Sequence, residues 1–115
     1  MKFTVEGHEA FAATGGRPFD GGKPAILMLH GAGMDHTVWS MQARYFAHHG
    51  FSVLAVDLPG HSRSAGTVPE TISAFADWCL VALDAAGAGE VVVMGHSMGA
   101  LIALEVASRL GARAK

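Results

Sequence analysis

Three short runs, Ala25-Ile26-Leu27-Met28-Leu29, Val53-Leu54-Ala55-Val56 and Val91-Val92-Val93-Met94, are apolar at every position. A strand with one wet face alternates apolar and polar residues. A run with no polar face must be covered on both sides, as inside a parallel sheet. Between the runs the apolar period lengthens to about 3.6 residues. Val38, Met41, Tyr45 and Phe46 share one side of a helix expected over residues 38–49, which Gly50 ends. Ile72, Phe75, Ala76, Cys79, Leu80 and Leu83 recur at helical spacing over residues 71–86, closed by Gly87 and Gly89. The segment from Met98 to Leu110 is apolar almost all round, so it is expected to be buried on most sides, with Gly111 as its C-terminal cap.

Ahead of these units, Lys2–Val5 and Glu9–Ala13 flank Gly7-His8 and read as two short strands of a hairpin. Gly15-Gly16-Arg17-Pro18 and Asp20-Gly21-Gly22-Lys23-Pro24 then break regular structure as far as residue 24. Alternating strands and helices with short connections give an α/β fold, a mostly parallel sheet flanked by helices and joined by right-handed crossovers.

Composition narrows the function classes. The chain has 115 residues, enough for one domain, of which 50% are hydrophobic and 16% charged, so it can bury a core and is not disordered. A chain this apolar reads as the interior part of something larger. The net charge is −2 and Lys and Arg are scattered, which argues against a nucleic-acid surface. Cys79 is the single cysteine and falls on an apolar stripe, which excludes a disulfide framework and points to a buried, inert thiol. The seven histidines show no H-x-H or H-E-x-x-H spacing, so no metal is expected, and His48-His49 reads as a solvated helix end. No signal peptide or membrane-spanning run is present, and a cytoplasmic setting is expected.

The chemistry concentrates in Gly95-His96-Ser97-Met98-Gly99-Ala100, between the last apolar run and the last helix. A serine at the tip of a sharp strand-to-helix turn has its hydroxyl pushed out at the carboxyl edge of the sheet, with φ expected above zero. Strand and helix then approach closely, which requires small residues two before and two after; Gly95 and Gly99 meet that requirement. The helix N-terminus leaves free N–H groups there, and the Met98 amide is placed to stabilise a developing oxyanion.

With His30-Gly31-Ala32-Gly33 after the first apolar run and Asp57-Leu58-Pro59-Gly60-His61-Ser62-Arg63-Ser64 after the second, the chain over residues 25–110 resembles the N-terminal half of the α/β-hydrolase fold family. The resemblance implies that Ser97 is the nucleophile and that the N–H groups of Met98 and Ala32 are the oxyanion donors, with Gly33 the second choice to Ala32. It implies an esterase-like serine hydrolase that needs no cofactor and acts on a small-molecule acyl ester or thioester. His30, Asp57, Arg63 and Ser64 are expected to fix the loops rather than touch substrate. His96 points away from where a general base must stand and is expected to line the pocket. Met34 and Met98 either shape an apolar substrate pocket or pack, and Trp39 is expected to pack.

In the family the acid and the histidine follow the serine on later strands. Residues 98–115 contain one carboxylate, Glu105, two turns along the helix, and no histidine. Residues 1–115 are therefore expected to be the N-terminal part of a single α/β-hydrolase domain, with about five of its eight strands and without its acid and base. The last strand would be left as an apolar edge prone to self-association. Alternative readings are a catalytically silent fragment, or a module completed by another chain. A third is a dinucleotide-binding domain, because Gly31-Ala32-Gly33 and Asp57 imitate that fingerprint; His36, however, stands where a small residue is required.

Overall fold

The computed structural model describes residues 1–115. Strands β1 (Lys2–Val5), β2 (His8–Ala13), β3 (Ala25–Leu29), β4 (Ser52–Val56) and β5 (Val91–Gly95) form one sheet in the order β1-β2-β4-β3-β5. Strands β4, β3 and β5 are parallel: Ala25 lies beside Ser52 and Val91, and Met28 beside Ala55 and Met94. Every residue of β3 and β4 is buried, as their unbroken apolar character requires. The β1–β2 hairpin closes through Glu6 and Gly7, both at positive φ, and joins the sheet antiparallel through Ala12 beside Val56.

Helix α1 (Ser40–Ala47), entered through a 3₁₀ turn over His36–Trp39, covers one face. Helices α2 (Ile72–Ala86) and α3 (Met98–Leu110) cover the other. The two-residue period of β3 divides between the faces. Ile26 and Met28 pack with Trp39, Ala43 and Ala47, while Leu27 and Leu29 pack with Phe75, Cys79, Leu83, Ile102 and Val106. Thr71 caps α2 by accepting from the Ala74 N–H (3.0 Å), and Gly87 ends it in the left-handed conformation, φ +79°.

Three expectations change on folding. The inward face of α1 is not the one that the apolar period selects, since Val38, Met41 and Tyr45 are exposed and small Ala43 and Ala47 lie against the sheet. Close approach of a short helix to a sheet favours alanine over larger apolar side chains. Helix α3 is not covered on most sides either. It buries Gly99, Ile102, Ala103, Val106 and Leu110 but leaves Leu101 and Leu104 exposed, the latter at 72%, because only the sheet side and α2 pack against it. Strand β5 does form an edge, but its first residue is not bare: Ala114 lies parallel to Val91, and the Lys115 N–H donates to the Val91 carbonyl at 3.0 Å.

Candidate active site

The carboxyl ends of β3, β4 and β5 deliver three loops to one edge of the sheet. His30, fully buried, ties the first two together. Its Nε2 accepts from the Leu58 N–H (2.9 Å), so its Nδ1 carries the proton and donates to the Gly31 carbonyl (2.7 Å). The ring is thereby held neutral, and burial lowers its pKa below the ordinary histidine value. Asp57, equally buried, accepts from the His36 N–H (2.8 Å), from His36 Nδ1 (2.8 Å) and from the Arg63 N–H (3.1 Å). Ser64 Oγ accepts from the Phe11 N–H (3.0 Å), and the Arg63 guanidinium lies over the Phe11 ring.

His36 was not singled out from sequence as the partner of Asp57. The two lie 21 residues apart in the chain, and no local signal links them. Asp35, His36 and Asp57 bring ligand-type atoms within 4.8 Å of one another. Both Asp57 oxygens are already occupied as acceptors, and Asp35 caps the 3₁₀ turn through the Thr37 N–H, so the cluster is accounted for as a loop tie. The Thr37 hydroxyl and amide hold the Asp35 carboxyl below its usual range. Asp57, fully buried and already holding three donors from the chain, is also out of reach of a ribose, which weakens the second half of the dinucleotide fingerprint.

Ser97 stands apart from these ties. Its backbone is strained, φ +59° and ψ −123°, its side chain is exposed, and its hydroxyl makes no capping bond to α3. The bend is as cramped as the flanking glycines imply. A Cβ on Gly95 would stand 2.2 Å from the Gly99 carbonyl oxygen, and one on Gly99 only 2.1 Å from the Leu29 oxygen. Gly99 therefore admits β3 as well as clearing its own turn.

The first loop packs against the serine: a Cβ on Gly31 would lie 3.2 Å from Ser97 Cβ. In that loop the amides of Ala32 and Gly33 donate to no acceptor in the chain, whereas the Met34 N–H returns to the Gly31 carbonyl (3.1 Å). Met98 opens α3, where an amide has no intrahelical acceptor. These amides and Ser97 thus share one corner of the sheet edge.

Met34 is 40% exposed beside Gly31, while the Met98 side chain packs against the larger core cluster. His96 is exposed and, with Val38, Trp39 and Gln42, bounds an open cavity of about 160 Å³. Gln42 was missed from sequence, although its i, i+3 spacing from Trp39 places both on one side of the helix entry. His48 and His49 sit at the exposed end of α1, each with Nδ1 on the carbonyl four residues back. Glu105 pairs with Arg109 on the outside of α3. Cys79 is fully buried, which pushes its thiol pKa up. No helix is long and apolar enough to cross a membrane.

Comparison with known proteins bears on the fold. Residues 24–115 match the family model described as alpha/beta hydrolase fold. The chain is 37% identical over 82 residues to an (E)-2-((N-methylformamido)methylene)succinate hydrolase of Acinetobacter baylyi, across 70% of this chain and 30% of that protein. It is 34% identical over 87 residues to the lipase LipV of Mycobacterium tuberculosis, across 76% of this chain and 33% of that one. In three dimensions it is similar to a membrane phospholipase A described as a bacterial virulence factor. That match has a TM-score of 0.87 at 25% identity and covers 99% of this chain and 36% of the other. The chain thus spans about a third of the length of these relatives.

Proposed function

The chain belongs to the α/β-hydrolase fold family, and from that premise we propose that it carries the nucleophile and oxyanion donors of a cytoplasmic, cofactor-free serine hydrolase cleaving carboxylic esters or thioesters. The observation that carries the proposal is Ser97 itself, strained, exposed and uncapped at the head of α3, with the unpartnered amides of the Gly31–Gly33 loop packed beside it. A serine rather than an aspartate at this bend favours acyl transfer over alkyl transfer, a choice the fold alone does not make.

In this reading Ser97 Oγ attacks the acyl carbonyl and gives up its proton to a base. The carbonyl oxygen becomes an oxyanion facing the amides of Met98 and Ala32, with Gly33 the alternative donor. Collapse expels the alcohol or thiol with a proton and leaves an acyl ester on Ser97. Water then attacks that ester, releasing the acid and restoring the hydroxyl. Gly33, Met34 and His96 border the acyl group.

No histidine of these 115 residues is bonded to Ser97, and this reading takes the base and its acid from elsewhere. The histidine bonds run instead from His30 to Gly31 and Leu58, from His36 to Asp57, and from His48, His49 and His61 to backbone carbonyls. The same reading makes the β5 edge, with Leu101 and Leu104 exposed nearby, a self-association surface that sedimentation at rising concentration would detect.

The test is prolonged incubation with a fluorophosphonate, followed by peptide mass spectrometry and p-nitrophenyl butyrate hydrolysis. A single adduct on Ser97 is expected, with ester turnover close to that of Ser97→Ala. Absence of the base removes a factor on the order of 10⁴–10⁶ in comparable triads. An adduct on another residue would overturn the nucleophile assignment. Fast serine-dependent turnover would overturn the placement of the base.

A further inference from the structure

We propose that Met34 is an oxidation site beside the nucleophile: a hydroperoxide converts its thioether to the sulfoxide, whose oxygen takes the loop amides that an acyl oxyanion needs. The effect on acylation rests on the serine-hydrolase reading. The modification itself, and its hold on the loop, stand on three observations.

The first is position. A Cβ on Gly31 would meet both Ser97 Cβ (3.2 Å) and Met34 Sδ (3.3 Å), so serine and sulfur are no further apart than those two distances together. The Met34 N–H donates to the Gly31 carbonyl (3.1 Å), which closes a four-residue turn and returns the methionine to its start.

The second is unmet donors. Ala32 and Gly33 form the middle of that turn, both are exposed, and neither amide has an acceptor in the chain. A thioether is a weak acceptor and leaves them so. Oxidation makes the side chain polar, and an oxygen set on that sulfur stands among free N–H groups.

The third is access. Of the six methionines, Met34 is 40% exposed and only Met41, at 83%, is more open, whereas Met28 is fully buried. Met41 lies on the outward side of α1, away from the turn, and serves as an internal control.

In the step, a sulfur lone pair attacks the outer oxygen of the hydroperoxide. The S–O bond forms as the O–O bond breaks, the outer oxygen's proton passes to the departing oxygen, and an alcohol or water leaves. Sulfur loses two electrons and the peroxide gains them. Methionine sulfoxide reductases, one for each sulfoxide epimer, reverse the change, which makes the modification a switch.

The experiment treats the full chain with graded hydrogen peroxide and reads each methionine by peptide mass spectrometry. Two signals are followed: the Ala32 and Gly33 amide proton resonances, and the rate of fluorophosphonate labelling of Ser97. Met34 and Met41 are expected to oxidise well before Met28. As Met34 oxidises, at least one of the two amide protons should move downfield. Labelling should slow about fivefold, the effect of one competing hydrogen bond. Reduction by both reductases should restore the two signals. Met41→Leu should keep the full response, whereas Met34→Leu, whatever its own labelling rate, should hold that rate through peroxide treatment. The amide readout does not require Ser97, so a chain that takes no phosphonate refutes the serine-hydrolase reading while the resonances still decide this proposal. Met34 as resistant as Met28, Met34 sulfoxide with both amide protons unmoved, or a loss of labelling that tracks Met41 overturns it.

Discussion

Two tight bends at the carboxyl edge of the sheet, separated by the loop that follows β3, are finished in opposite ways. From Asp57 to Ser64 the polar groups close on one another and on their neighbours: the carboxylate takes three donors, Leu58 bonds His30, and Ser64 bonds Phe11. From Gly95 to Gly99 the backbone is at least as cramped, yet the serine hydroxyl at its tip is uncapped and the nearby amides of Ala32 and Gly33 have no acceptor. The first bend spends its hydrogen bonds holding loops in place. The second holds strain and leaves its groups for whatever arrives from solvent. Stability and reactivity are thus divided between two turns of one sheet edge.

That division can be broken most severely at Asp57. Asp57→Ala strips three donors of a charged acceptor inside the protein, and a loss of about 3 kcal/mol in urea unfolding is expected. A loss under about 1 kcal/mol would mean that water substitutes freely and the bend is not a scaffold.

His30 gives the next largest effect, and its sign follows from burial. The folded state lowers its pKa below the ordinary 6.5, so below that pH the unfolded chain binds a proton that the folded chain refuses. The His30 contribution is therefore complete above about pH 6.5 and declines on acidification until the lowered folded value is passed. The decline is at most about 1.4 kcal/mol per pH unit. Urea midpoints between pH 7.5 and 5 check it, with His30→Asn expected to flatten the slope; an unchanged slope would remove His30 from the scaffold.

Ser97 should respond in the opposite direction. Ser97→Gly relieves a positive φ and is expected to raise stability by about 1 kcal/mol while abolishing the phosphonate adduct. Destabilisation by this substitution would mean that the serine contributes packing, and the contrast between the bends would fail.

Much of this was legible along the chain. Unbroken apolar runs marked three parallel strands, of which β3 and β4 are buried throughout, whereas β5 lies at the edge of the sheet and is half-buried beyond Val91. The glycines at 95 and 99 announced a bend too tight for side chains, and a serine between them announced a hydroxyl held outward. The helical period over residues 71–86 found α2 with its cap and its closing glycine, because that helix lies on the main core with one clear apolar stripe.

The same method misjudged α1 and α3, where apolar period and burial part company. Val38, Met41 and Tyr45 face outward while two alanines touch the sheet, and Leu101 and Leu104 lie uncovered. Periodicity reports which residues share a side of a helix, but only the neighbours decide which side is packed. The pairing of His36 with Asp57 likewise had no trace in the sequence, and the approach of the Gly31 loop to Ser97 was expected only from the family resemblance. Each joins residues far apart in the chain, and such contacts exist only after the strands have stacked and brought their loops to a common edge.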